Sequence, residues 1–107
     1  MHYLGIIHQE RGEYDKAKEQ FIKSLEIKKE LSDKAGIAIT LDQLGSLYDK
    51  TEDYLNAIKC YLISVRLFEY LKSSYVKAVN ENLDIVKQKI GDAKFNEYIK
   101  EAERTLS

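Results

Sequence analysis

LDQLGSLYDKTEDYLNAIKCYLISVRLFEYL, residues Leu41–Leu71, carries two apolar stripes at helical spacing. Leu41, Leu44, Gly45 and Tyr48 fall at i, i+3, i+4 and i+7, so one face of a helix is apolar or small. Thr51, Glu52 and Asp53 interrupt the pattern with polar side chains. A second stripe then runs through Tyr54, Ala57, Tyr61, Val65 and Phe68. Two amphipathic helices joined by three polar residues predict an antiparallel helical hairpin.

The same punctuation extends outward in both directions. Residues 1–11 read as a helix with Met1, Leu4, Gly5 and His8 on one stripe. No capping residue precedes it, so the chain is expected to begin inside an element, as a fragment of a longer protein does. After Arg11-Gly12-Glu13 the period resumes through Tyr14, Ala17, Phe21, Ser24, Leu25, Lys28 and Leu31. Burial of Phe21 and Leu25 is worth roughly 1.5–3 kcal/mol each. Ser32-Asp33 is the next break and offers an N-cap for a helix over about 34–50, and the next helix covers about 54–71. Lys72-Ser73-Ser74 is a further break. Val76, Val79, Leu83, Val86 and Ile90 mark a fifth helix, which Gly91 stops, and Asp92 is placed to cap the next one. This sixth helix, over about 93–105, has Phe95, Ile99, Ala102 and Leu106 on one side. Its other side, with Lys94, Asn96, Glu97, Lys100, Glu101 and Arg104, suits an end cap facing water.

Internal repetition decides how these helices are arranged. Shifted by 40 residues, positions 1–40 fall on 41–80 without a gap. Leu4 meets Leu44, Gly5 meets Gly45, Tyr14 meets Tyr54 and Ala17 meets Ala57. Ser24 meets Ser64, Leu31 meets Leu71 and Ala38 meets Ala78. The matches lie on the periodic stripe, which predicts a shared packing solution. Glycine inside a helix costs about 1 kcal/mol relative to alanine. Its recurrence at Gly5 and Gly45 predicts close helix crossings, with Ala17 and Ala57 as neighbours and Tyr14, Tyr54, Phe21 and Tyr61 filling the sides.

Leu4, Gly5, His8, Gly12, Tyr14, Ala17, Phe21 and Ser24, then Leu44, Gly45, Tyr48, Tyr54, Ala57, Tyr61 and Ser64, resemble the tetratricopeptide repeat. The family's usual period is about 34 residues; the longer period here resembles its longer-repeat variety, with the extra residues expected in the second helix of each pair. Met1 and Leu41 stand where the family has tryptophan, Glu52 stands at the glycine of the turn, and the closing proline is missing. Residues 78–107 match poorly, with the alignment slipping by about one residue. The resemblance implies an all-α superhelix, a solenoid of three antiparallel hairpins and six helices: unit 1 at about 1–33, unit 2 at about 34–73, and a degenerate unit 3 with C-terminal cap at about 74–107. It also implies a peptide or protein ligand along the concave face. Carried onto this chain, the groove positions are Tyr3, Ile6, Gln9 and Glu10, then Asp42, Gln43, Ser46, Asp49 and Lys50, then Glu81, Asn82 and Ile85. Their acids and amides are more compatible with a basic peptide than with a clamp for a C-terminal carboxylate.

Little in the chain points to chemistry. His2 and His8 are six residues apart, and a zinc-binding helix needs i, i+4. Cys60 has no neighbouring base and reads as a buried thiol; a single cysteine cannot form an intramolecular disulfide, which fits a reducing, cytoplasmic setting. Glu52 and Asp53 suit a helix N-terminus. No glycine-rich phosphate loop occurs. The basic group Lys23, Lys28, Lys29 and Lys34 is interleaved with Glu26, Glu30 and Asp33, and the net charge is −1, which gives no pull towards nucleic acid. No apolar run approaches the roughly 20 residues of a membrane span. Of the eight tyrosines, Tyr3, Tyr70, Tyr75 and Tyr98 are not claimed by the repeat core and suit either an interface or its rim.

The expected function is therefore a non-enzymatic scaffold or adaptor without cofactor or metal, binding a protein or peptide and neither nucleic acid nor membrane. The open N-terminal end is expected to meet preceding repeats or to self-associate. A regulatory sensor for a small signalling peptide and a structural spacer are the alternatives.

Overall fold

The computed structural model describes residues 13–106. The helix expected over 1–11, with the candidate groove residues Tyr3, Ile6, Gln9 and Glu10, lies outside them. The described residues form five α-helices and no strand: α1 (Tyr14–Glu30), α2 (Lys34–Lys50), α3 (Tyr54–Tyr70), α4 (Tyr75–Ile90) and α5 (Asp92–Leu106).

The first three helices are each 17 residues long. Two turns of three residues, 31–33 and 51–53, separate them, so helix and turn together repeat every 20 residues. The additional length of the unit is thus shared by both helices of the 34–70 pair, not confined to the second as expected. Ser32, Glu52 and Lys72 occupy equivalent places in successive turns, and all three are left-handed, with φ of 54°, 63° and 54°. The same pair of bonds closes each helix. Ser32 N–H donates to Lys29 O (3.1 Å) and Asp33 N–H to Lys28 O (2.9 Å); Glu52 and Asp53 repeat this on Asp49 and Tyr48, and Lys72 and Ser73 on Glu69 and Phe68. This is the Schellman closure, which satisfies carbonyls the helix end would otherwise leave free.

The next helix is capped from the same turn. Asp33 Oδ1 accepts the Gly36 N–H at 2.9 Å. Asp53 Oδ1 accepts the Asn56 N–H at 3.4 Å, and its Oδ2 accepts Asn56 Nδ2 at 2.8 Å. A single residue, Gly91, links α4 to α5 at φ 87°, ψ 159°, a conformation suited to glycine. Asp92 lies in the first turn of α5 instead of capping it from outside.

The stack builds outward from α2 and α3, which form the central hairpin; α1 packs on α2, α4 on α3, and α5 on both α3 and α4. Two apolar clusters result. Ala17 and Phe21 of α1 meet Leu41, Leu44 and Leu47 of α2 and Cys60 of α3. On the other side, Ala57, Ile58, Tyr61 and Phe68 of α3 meet Ala38 of α2, Val79, Leu83 and Val86 of α4, and Ala102 of α5. A hairpin with apolar surface on both sides needs neighbours on both sides, which is the packing logic of a solenoid.

Three packing expectations are corrected here. Leu31 and Leu71 cap helix ends and are 72% and 39% exposed, so they are not part of the packed stripe. Ala38 is fully buried, while its counterpart Ala78 is exposed, because no helix covers that face of α4 among the described residues. Lys28 packs only in part; its ammonium group donates to the buried Thr40 hydroxyl at 3.0 Å. Gly45 makes its closest approach to Tyr61: a Cβ there would lie 2.7 Å from Tyr61 Cε1. The Ser64 position is explained by its hydroxyl, which donates to Ala38 O at 2.7 Å in the core between α3 and α2.

Candidate interaction groove

The first helices of the second and third pairs, α2 and α4, run beside one another. Asp42, Ser46 and Asp49 recur on α2 at i, i+4 and i+7, so they share one face, and that face looks across to α4. Asn82 Nδ2 donates to Asp42 Oδ1 at 2.9 Å. Two turns along, Lys89 Nζ donates to both carboxylate oxygens of Asp49 at 3.0 Å. Each pair is separated by 40 residues, the period of the repeat. The buried stripe of α4 does slip: Val79, Leu83 and Val86 stand 39 residues after Thr40, Leu44 and Leu47. The polar face keeps the full period where the apolar face loses it.

Tyr61 joins this face from below. Its ring is buried against Gly45, and Asp42 and Asp49 are close enough to act on its hydroxyl. Burial, reinforced by the two carboxylates, pushes the phenol well above its ordinary range, and hydrogen bonding with Ser46 partly offsets this. Burial likewise raises Asp42, against the opposing effect of the Asn82 bond. Asp49 is largely covered at 14% side-chain exposure, while Lys89 is 45% exposed.

The structure brings Asp42, Ser46, Asp49 and Asn82 together. Gln43 lies one position away on α2, with Oε1 buried and without a hydrogen-bond partner. Lys50 and Glu81 are exposed, as is Ile85 at 46%, and none of these three joins the polar seam. Sequence reading missed Lys89 and the Tyr61 hydroxyl. The 40-residue offset could have found Lys89 from Asp49; nothing in the pattern marks Tyr61 as more than a core aromatic.

Other surfaces offer less. A depression of about 560 Å³ along the outer face of α5 is lined by Ala93, Asn96, Glu97, Lys100, Glu101 and Arg104. It is the charged face expected to meet water. Cys60 is buried, and burial with Asp53 nearby pushes its thiol up to about 12, so little thiolate forms near neutral pH. Among the described residues no group of His, Cys, Asp or Glu could hold a metal, and no helix is long and apolar enough to cross a membrane.

The tetratricopeptide repeat signature matches residues 1–69, well over half of the chain. The chain belongs to the tetratricopeptide repeat family. Repeats of this family mediate protein–protein interaction and are typically non-catalytic. Over 77 residues the chain is also 35% identical to the response regulator aspartate phosphatase I of Bacillus subtilis (strain 168), an alignment covering 72% of this chain and 20% of that protein. The chain thus spans about a fifth of the length of this curated relative. No solved structure is a significant match.

Proposed function

We propose that this tetratricopeptide repeat chain is a non-catalytic protein-interaction module, a scaffold or adaptor that holds a peptide or extended protein segment along the face formed by the first helix of each pair. Three units build that face, at about 1–33, 34–73 and 74–107. The proposed contact set is Tyr3, Ile6, Gln9, Glu10, Asp42, Gln43, Ser46, Asp49, Lys50, Glu81 and Asn82, to which Lys89 is added. The observation that carries this reading is the polar seam itself. Asp42 and Asp49 on α2, with Ser46 between them, are bonded to Asn82 and Lys89 on α4 at the repeat spacing.

The basic-ligand reading weakens in one respect. Lys89 already compensates Asp49. Glu10, Asp42 and Glu81 are the remaining acids of the set, so the face suits a mixed polar segment better than a strongly basic one. A single buried thiol is compatible with a reducing cytoplasmic setting. The N-terminal end is the proposed site of self-association.

A second reading is favoured by the relative. Its name describes action on response regulators, so the module can equally serve a regulatory protein as the part that senses a signalling peptide.

The test is affinity capture from extract of the source organism, with this chain as bait beside Gln43→Ala/Asp49→Lys, both verified as equally helical by circular dichroism. A protein retained by the parent and lost by the variant is the expected result. Equal capture by both would place the interface elsewhere.

A further inference from the structure

Between α2 and α4 there is little direct packing; each leans on α3 instead. Two side-chain links cross that gap, Asn82 to Asp42 and Lys89 to Asp49, seven residues apart on each helix. Seven residues of helix span about 10 Å. Two links about that far apart restrain both the separation and the relative tilt of the helices, where one would leave the tilt free.

We propose that the Asp42–Asn82 and Asp49–Lys89 bonds are a two-rung latch that fixes the angle between the second and third repeats. The rungs are made unequal by their surroundings. The inner one pairs a half-buried carboxylate with a neutral amide, so salt screens it little. The outer one is an ion pair with an exposed ammonium, which salt weakens. Ser46 lies between Asp42 and Asp49 along α2, and the Tyr61 hydroxyl is close enough to feel both carboxylates. α5 is joined to α4 through Gly91 alone and packs on both α3 and α4, so a turn of α4 on opening the latch also shifts α5 against α3. The consequence for binding rests on the proposed function: a ligand on this face that takes Asp42 or Asp49 for itself breaks a rung, so occupancy and inter-repeat angle become one equilibrium.

The test needs no ligand, so its outcome is independent of whether the face binds one. Spin labels at Lys23→Cys on α1 and Lys100→Cys on α5, in a Cys60→Ala background, report the distance across the stack. The Asn82→Ala/Lys89→Ala variant is expected to shift and broaden that distance distribution while helicity by circular dichroism is unchanged. Lys89→Gln alone should give a smaller change, Lys89→Arg should restore the parent distribution, and Lys94→Ala, outside the seam, should have no effect. If the double variant loses helicity, Lys89→Gln is the deciding variant, and the parent at high salt should mimic it. Superimposable distributions in the parent and in the helical latch variants, or equal broadening by Lys94→Ala, would overturn the proposal.

Discussion

Gly45 shows how far a single position can be read. Its place inside a helix, shared with Gly5 forty residues earlier, signalled a close approach before any neighbour was known. Which of the expected neighbours comes closest was not legible, because the pattern cannot rank a small partner against a large one; it is Tyr61. Tyr61 is 2% exposed and its ring has no free end to swing aside. Gly45→Ala gains about 1 kcal/mol in helix propensity but overpacks the ring contact by about 1–3 kcal/mol. A net loss is expected in urea denaturation, and Gly45→Ala/Tyr61→Leu should recover part of it. Asp42 gives a second residue-scale prediction. Burial raises its folded pKa above the unfolded value of about 3.9. The folded state therefore binds the proton more tightly, and this contribution is complete in acid and lost as pH rises through the folded pKa. At pH 7 the charged form costs stability. Asp42→Asn, which keeps an acceptor for Asn82, should melt higher than the parent at pH 7, with the advantage shrinking as pH falls through the raised folded pKa and gone below about pH 4.

At the scale of elements, the turns were legible and their geometry was not. Polar breaks at 32–33, 51–53 and 72–74 were visible, as were Ser32-Asp33 and Glu52-Asp53 as places for a cap. That each turn hides one left-handed residue was not, because Ser32, Glu52 and Lys72 share no side-chain chemistry and none is glycine. What they share is position in a Schellman closure, which hydrogen bonds enforce against a cost of about 1–2 kcal/mol for a side chain in that region. Ser32→Gly, Glu52→Gly and Lys72→Gly should each raise stability by about 0.5–1 kcal/mol after glycine's larger entropy loss is deducted. Thermal melts of the three single variants and their combination check this, and the effects should add because the turns are remote from one another. The bounds of α2 and α3 were legible: expected over about 34–50 and 54–71, they are Lys34–Lys50 and Tyr54–Tyr70, because the polar breaks mark both ends.

For the whole molecule, the repeat made the all-α solenoid readable, since a 40-residue offset of packing positions admits few other arrangements. The third pair was hard to place because its apolar stripe slips by one residue. Its polar side holds the original period through Asn82 and Lys89, and that register shows only once the helices are set side by side. The polar seam arises from this register and from the buried Tyr61 hydroxyl, both properties of assembly and not of any local motif. The central claim is that the α2–α4 face is where this tetratricopeptide repeat chain meets its partner. The most direct measurement is amide hydrogen exchange of the chain alone and bound to the protein that the capture experiment returns. Slowed exchange in peptides covering 42–50 and 81–90, with 92–106 unchanged, is predicted. Protection confined to α5, or to the outer face of α1, would contradict it.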